Sequence, residues 1–132
     1  MHITGIYAAL ATLLVLVLAL RTSLGRHGKR ISTGDGGDHD MFLRIRAHAN
    51  AIENLPLALL LLGLLEWNQT APLWLHVCGC VLLAGRVLHA LGMSIRAFEG
   101  VGRVTGIALT WGVMAAMAVL LLWQWLVFAS IR

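Results

Sequence analysis

Arg46, Asn50 and Glu53 are spaced by four and then three residues, which on a 3.6-residue helix brings their side chains within roughly 60° of one another. The stripe lies in a hydrophobic stretch that begins near Met41. Charges at membrane depth are costly and mark ligand sites, ion pathways or proton relays. A second pair of polar residues answers the first: Arg86 and His89 are three residues apart and share a helical face, within roughly 60° of each other. Counted inward at 1.5 Å per residue, Asn50 and Glu53 lie roughly 13–18 Å deep and Arg86 about 14 Å deep. The matching depths predict that Glu53 and Arg86 meet, with Asn50 beside them, because a lone buried charge costs far more than a pair. Pro56 denies Ile52 its backbone partner, so a bend that opens a cavity is expected just beyond Glu53; the alternative is a tolerated kink with no ligand nearby.

The elements that must position these groups are membrane spans. Hydrophobic residues make up 59% of the 132 residues and charged ones 12%, against soluble averages of about half and about a quarter. Residues 1–20, 54–65, 67–85 and 104–131 contain no Asp, Glu, Lys or Arg, and about twenty apolar residues suffice to span. Composition predicts spans over Ile3–Leu20, Met41–Leu65, Pro72–Ile95 and Val104–Phe128, in one domain over 1–132. The fold class expected is all-α: an integral membrane four-helix bundle of up-down topology. No Lys or Arg precedes the first apolar run and no small-x-small pattern follows it, so the first span is expected to stay in the mature protein.

Arg21, Arg26, Lys29 and Arg30 crowd the first connection, Arg96 and Arg103 flank the third, and the Glu66–Ala71 connection has no Lys or Arg. The positive-inside rule then turns both termini away from the cytoplasm. It also accounts for the net charge of +4. The cations flank spans and lack interleaved stacking aromatics, which argues against a nucleic-acid partner and for membrane lipid. The connection from Arg21 to Asp40 reads as a hydrated loop. Its Gly34-Asp35-Gly36-Gly37 run suits positive φ, and Asp38 or Asp40 is expected to cap the second helix. No Lys-Ser or Lys-Thr pair follows the run, and its acids repel phosphate, so a phosphate cradle is not indicated.

Cys78 and Cys80 point about 160° apart on a helix, so they read as packing residues. The six histidines show no ligand spacing, and no metal site is indicated. Trp67, Trp74, Trp123 and Trp125 fall near the outer interface as belt residues, whereas Trp111 lies inside the fourth span and is expected to pack.

The run Arg44-Ile-Arg46-Ala-His48-Ala-Asn50-Ala-Ile-Glu53-Asn-Leu-Pro56, preceded by Gly34-Asp35-Gly36-Gly37 and followed by Gly85-Arg86-Val-Leu-His89, resembles the MAPEG superfamily, membrane-associated proteins in eicosanoid and glutathione metabolism. The resemblance covers nearly the whole chain and is closest to the short bacterial branch. It implies a homotrimer in the bacterial inner membrane, with glutathione as co-substrate held between subunits in the cytoplasmic half. In that picture Arg46 holds a glutathione carboxylate, Asn50 and His48 bond its peptide portion, and Glu53 faces its amino group or braces Arg86, with His89 in the same binding cluster. These roles suit the chemistry, since arginine binds carboxylates bidentately and glutamate accepts from ammonium. His48, about 160° from Arg46, either serves the neighbouring protomer's site or packs.

The catalytic assignment is Arg103, at the start of span four, where the resemblance places the arginine that lowers the thiol pKa; Arg96 is the fallback. The alternative for either is a positive-inside anchor. Family members often carry tyrosine just after the Glu53 position and again one turn past the His89 position. Here Asn54 and Met93 occupy those places and Tyr7 is the only tyrosine. That leaves activation by arginine alone, with Thr105 as a possible hydroxyl donor. The function expected is a glutathione transferase or peroxidase acting on small lipophilic electrophiles. A proton-coupled exporter built on Glu53 is the alternative of another class, weakened by the expected Arg86 pairing, which would hold the carboxylate ionised. A non-catalytic family member, whose cluster only locks subunits together, is the third.

Overall fold

A computed structural model describes residues 2–95 and 100–130. Its helices are α1 (His2–Lys29), α2 (His39–Trp67), α3 (Pro72–Gly92) and α4 (Val101–Ser130), and each is long and apolar enough to cross a membrane. One expected boundary moves far, and the others lie within three residues of their expected places. α1 runs nine residues past Leu20, so the first connection shortens to 30–38. The cations that end the apolar span do not end the helix: Arg26 and Lys29 lie in its last turn, where they complement the negative end of the helix dipole. α3 stops at Gly92, three residues before Ile95, and Met93 is its C-cap.

In the shortened connection Gly34, Gly36 and Gly37 all have positive φ. A Cβ on Gly36 would also press Ile31 at 2.9 Å, so that position needs glycine. Asp38, rather than Asp40, is the N-cap, its side chain accepting from the Met41 N–H at 2.8 Å. Asp38 also takes an ion pair from Lys29 at 2.5 Å, while Asp40 pairs with Arg44 at 3.0 Å. The loop is thereby pinned at both of its ends.

The helices alternate up and down. The C-termini of α1 and α3 and the N-termini of α2 and α4 share one end, where Arg21 Nη1 donates to Ser94 Oγ at 2.6 Å. At the other end Glu66 accepts the N–H groups of Ile3 and Thr4 at 3.0 and 2.8 Å, satisfying donors that a helix start leaves without intrahelical partners. Gln124 bonds Asn68 and Thr70 there at 3.0 and 2.8 Å. α1 packs on α2 and α3, α4 packs on α3 and α2, and α2 touches α3 across the middle; among the described residues α1 and α4 do not meet.

The core follows helical spacing, with Ala47, Ala51, Leu55, Ala58, Leu62 and Leu65 buried on α2. Small residues let α3 and α4 approach most closely. A Cβ on Gly106 would meet His89 N at 2.4 Å and Gly85 O at 2.6 Å, and one on Gly92 would meet Arg103 N at 2.2 Å. Packing through glycines is how membrane helices associate where lipid supplies no hydrophobic drive. On α1, Tyr7 inserts its ring over Gly79 of α3, and its hydroxyl lies 3.0 Å from His76 Nδ1 and 3.2 Å from Cys80 Sγ. Cys80 is therefore a hydrogen-bonded, exposed thiol rather than a packing residue.

Candidate functional site

Arg86 is the largest side chain buried in the bundle, 2% exposed. It enters from α3 between α2 and α4, where Gly85 and Gly106 keep the backbones close. Its Nε donates to Thr110 Oγ1 at 2.8 Å, one terminal nitrogen to Asn50 Oδ1 at 2.5 Å, and the other to the Gly106 carbonyl at 3.4 Å. Thr110 can accept because its own proton goes to Gly106 O at 2.9 Å. Among the described residues no carboxylate lies in ion-pair reach of the guanidinium, so oxygen dipoles alone hold it.

The expected contact between Glu53 and Arg86 is not formed. Depth along the helix was matched, but rotation about it was not: Glu53 lies roughly 60° from Asn50, and it is Asn50 that reaches Arg86. Glu53 instead stands 3.9 Å from Arg46 Nη1, both side chains about half exposed. Arg46 and Glu53 thus form an open ion pair on the outside of α2, with Asn50 linking that surface to the guanidinium behind it.

Asn54 extends the stripe by one residue. Its Nδ2 donates to the Asn50 carbonyl at 2.8 Å, and its Oδ1 accepts from Trp111 Nε1 at 3.1 Å. Trp111 does not pack inside as expected: it is 61% exposed and hydrogen-bonded across to α2. The sequence gives no signal for this contact, because it depends on how α4 is rotated toward α2.

His89 shares the Arg86 face of α3 and is 6% exposed, but it turns toward α4, where its Nδ1 donates to the Arg103 carbonyl at 3.1 Å. Arg103 is the third residue of α4, and its side chain is exposed. Arg96 lies outside the described residues. Thr105 spends its hydroxyl proton on Val101 O at 2.6 Å and borders an apolar groove of about 750 Å³ between α3 and α4, so it is not placed to serve the α2 stripe.

His48 is half-buried and lies away from Arg46. It lines a cavity of about 560 Å³ between α1 and α2 together with Ser23, Arg26, His27 and Ser32. Arg26 Nε is buried there with no acceptor among the described residues. Arg26 and His27 belong to the last turn of α1 and not to the expected loop; the helical spacing of Thr22, Gly25 and Arg26 beneath α2 is the sequence signal for this. Pro56 stays inside an unbroken α2 and borders an apolar cavity of about 270 Å³ with α1 residues.

A model of the MAPEG family matches residues 4–123. The inner membrane protein YecN of Escherichia coli K12 is 34% identical over 132 residues, covering 98% of this chain and 99% of YecN. YecN of Escherichia coli O6:H1 matches to the same extent.

Proposed function

This chain belongs to the MAPEG family, and from that premise we propose that it is a glutathione transferase of the inner membrane, acting on small lipophilic electrophiles. The observation that carries the reading is the Arg46–Glu53 pair, two charges about half exposed on a membrane-spanning helix and 3.9 Å apart. A bilayer cannot solvate them. A zwitterionic peptide such as glutathione can, its carboxylate on Arg46 and its ammonium on Glu53. Covering by neighbouring copies of the chain in a homotrimer completes the shield.

In this reading Asn50 bonds the peptide portion while Arg86 fixes Asn50 from behind. The cavity at His48 and Arg26 supplies the neighbouring protomer's half of the site. Arg103 lies toward the same end of the bundle, and its positive charge favours the thiolate over the thiol. The sulfur then attacks the electrophile, forming a C–S bond as the leaving group departs with the bonding pair; the thiol proton goes to solvent. Both termini face away from the cytoplasm, because the cation-rich end holds the first and third connections.

The test is thermal unfolding of detergent-purified protein with and without glutathione, paired with turnover of a chromogenic electrophile. Stabilisation by glutathione and turnover are expected. Arg46→Ala retaining the full glutathione-induced shift refutes the assigned site.

A further inference from the structure

We propose that Trp111 selects the lipophilic co-substrate and favours electrophiles carrying an aromatic ring, an inference that rests on the glutathione reading above. The other four tryptophans, Trp67, Trp74, Trp123 and Trp125, lie toward the opposite end of the bundle, where indoles anchor at headgroup level. Trp111 is the eleventh residue of α4, roughly 15 Å from its start, too deep for that role.

Its polar end is spoken for. The indole N–H donates to Asn54 Oδ1 at 3.1 Å, and Asn54 is itself held by its bond to the Asn50 carbonyl at 2.8 Å. These two bonds in series favour one orientation of the ring. With the N–H satisfied and 61% of the residue exposed on the single protomer, what its own chain leaves uncovered is the apolar ring.

The placement matters because Asn54 directly follows Glu53 and lies one turn from Asn50. An electrophile that reaches a sulfur held at the stripe from the bilayer side therefore arrives beside a fixed indole. A planar aromatic can stack on it, which a flexible aliphatic chain does less well; aromatic pairing of this kind changes affinity roughly two- to ten-fold.

The test uses the full-length protein in detergent with two probes. One is 1-chloro-2,4-dinitrobenzene, whose ring carbon takes the glutathione sulfur as chloride leaves. The other is an aliphatic 2-alkenal, which adds the sulfur at its β-carbon and a proton at its α-carbon. Trp111→Leu is expected to raise KM for the nitroarene roughly two- to ten-fold without a matching rise for the alkenal, while Trp111→Phe restores most of the nitroarene affinity. Asn54→Leu, which keeps the ring but unties it, moves the nitroarene KM in the same direction as Trp111→Leu. Equal changes for the two electrophiles, or none, overturn the inference and leave the glutathione reading standing. Wild-type protein that is neither stabilised by glutathione nor active overturns both.

Discussion

Replacing Asn50 with alanine tests whether dipoles alone hold the buried guanidinium. The substitution removes the shortest of its contacts, the 2.5 Å bond to Oδ1, and leaves Thr110, Gly106 and the more distant Asn50 carbonyl at 3.5 Å. No described carboxylate is near enough to compensate. A hydrogen bond to a charged group contributes about 1.5–3 kcal/mol, so the expected fall in unfolding midpoint is roughly 5–15 °C. Arg86→Met removes the charge and keeps similar volume, which relieves the desolvation that burying a guanidinium imposes. Thr110 keeps its bond to Gly106, and half-buried Asn50 keeps access to other donors. Arg86→Met should therefore cost less than Asn50→Ala, and the double variant should unfold close to Arg86→Met alone, because without the charge Asn50 has little left to satisfy. Size-exclusion thermostability in detergent without glutathione reads all three. An Arg86→Met variant less stable than Asn50→Ala would show that the guanidinium gives net stabilisation and refute the reasoning.

Gly106→Ala should force α3 and α4 apart, since backbone atoms at 2.4 and 2.6 Å cannot give way; a loss of about 1–3 kcal/mol or more is expected in the same assay. Gly112→Ala, with nothing within 4 Å of the new Cβ, should leave the midpoint unchanged or slightly higher. Asp38 is held below the usual carboxylate range, first by the Lys29 ammonium and then by the Met41 N–H. A depressed folded value means that its contribution is present above the unfolded pKa of about 3.9 and is lost as pH falls through the folded value. Midpoints of wild type and Asp38→Ala should accordingly differ at pH 7 and draw together as the pH is lowered below about 3.9; a gap that stays constant throughout the acid range would assign the effect to something other than the charge.

The four spans were legible because a bilayer demands long uncharged runs and the sequence supplies them. The end of α1 was not, because charge marks where lipid stops and not where backbone hydrogen bonding stops. The depth of the polar cluster was likewise readable from residue counts, and Arg86, His89 and Asn50 do converge on the seam of α2, α3 and α4. Which group meets Arg86 depends on helix rotation, and a difference of roughly 60° replaced Glu53 by Asn50. The glycine seam could have been found: Gly102 and Gly106 are four apart, a spacing typical of close membrane-helix crossings, and Gly85 and Gly92 answer them on α3. The Asn54–Trp111 contact joins residues 57 positions apart, and no local pattern announces it.

Glu66 bears on how firmly the first helix is held. The first backbone donors of α1 are closed by a carboxylate more than sixty positions downstream, so the start of one crossing is tied to the end of the next by directed bonds and not by packing alone. Sliding or rotating α1 against α2 would give up both acceptors at once, and the register of that helix pair is thereby fixed at the end remote from the polar stripe.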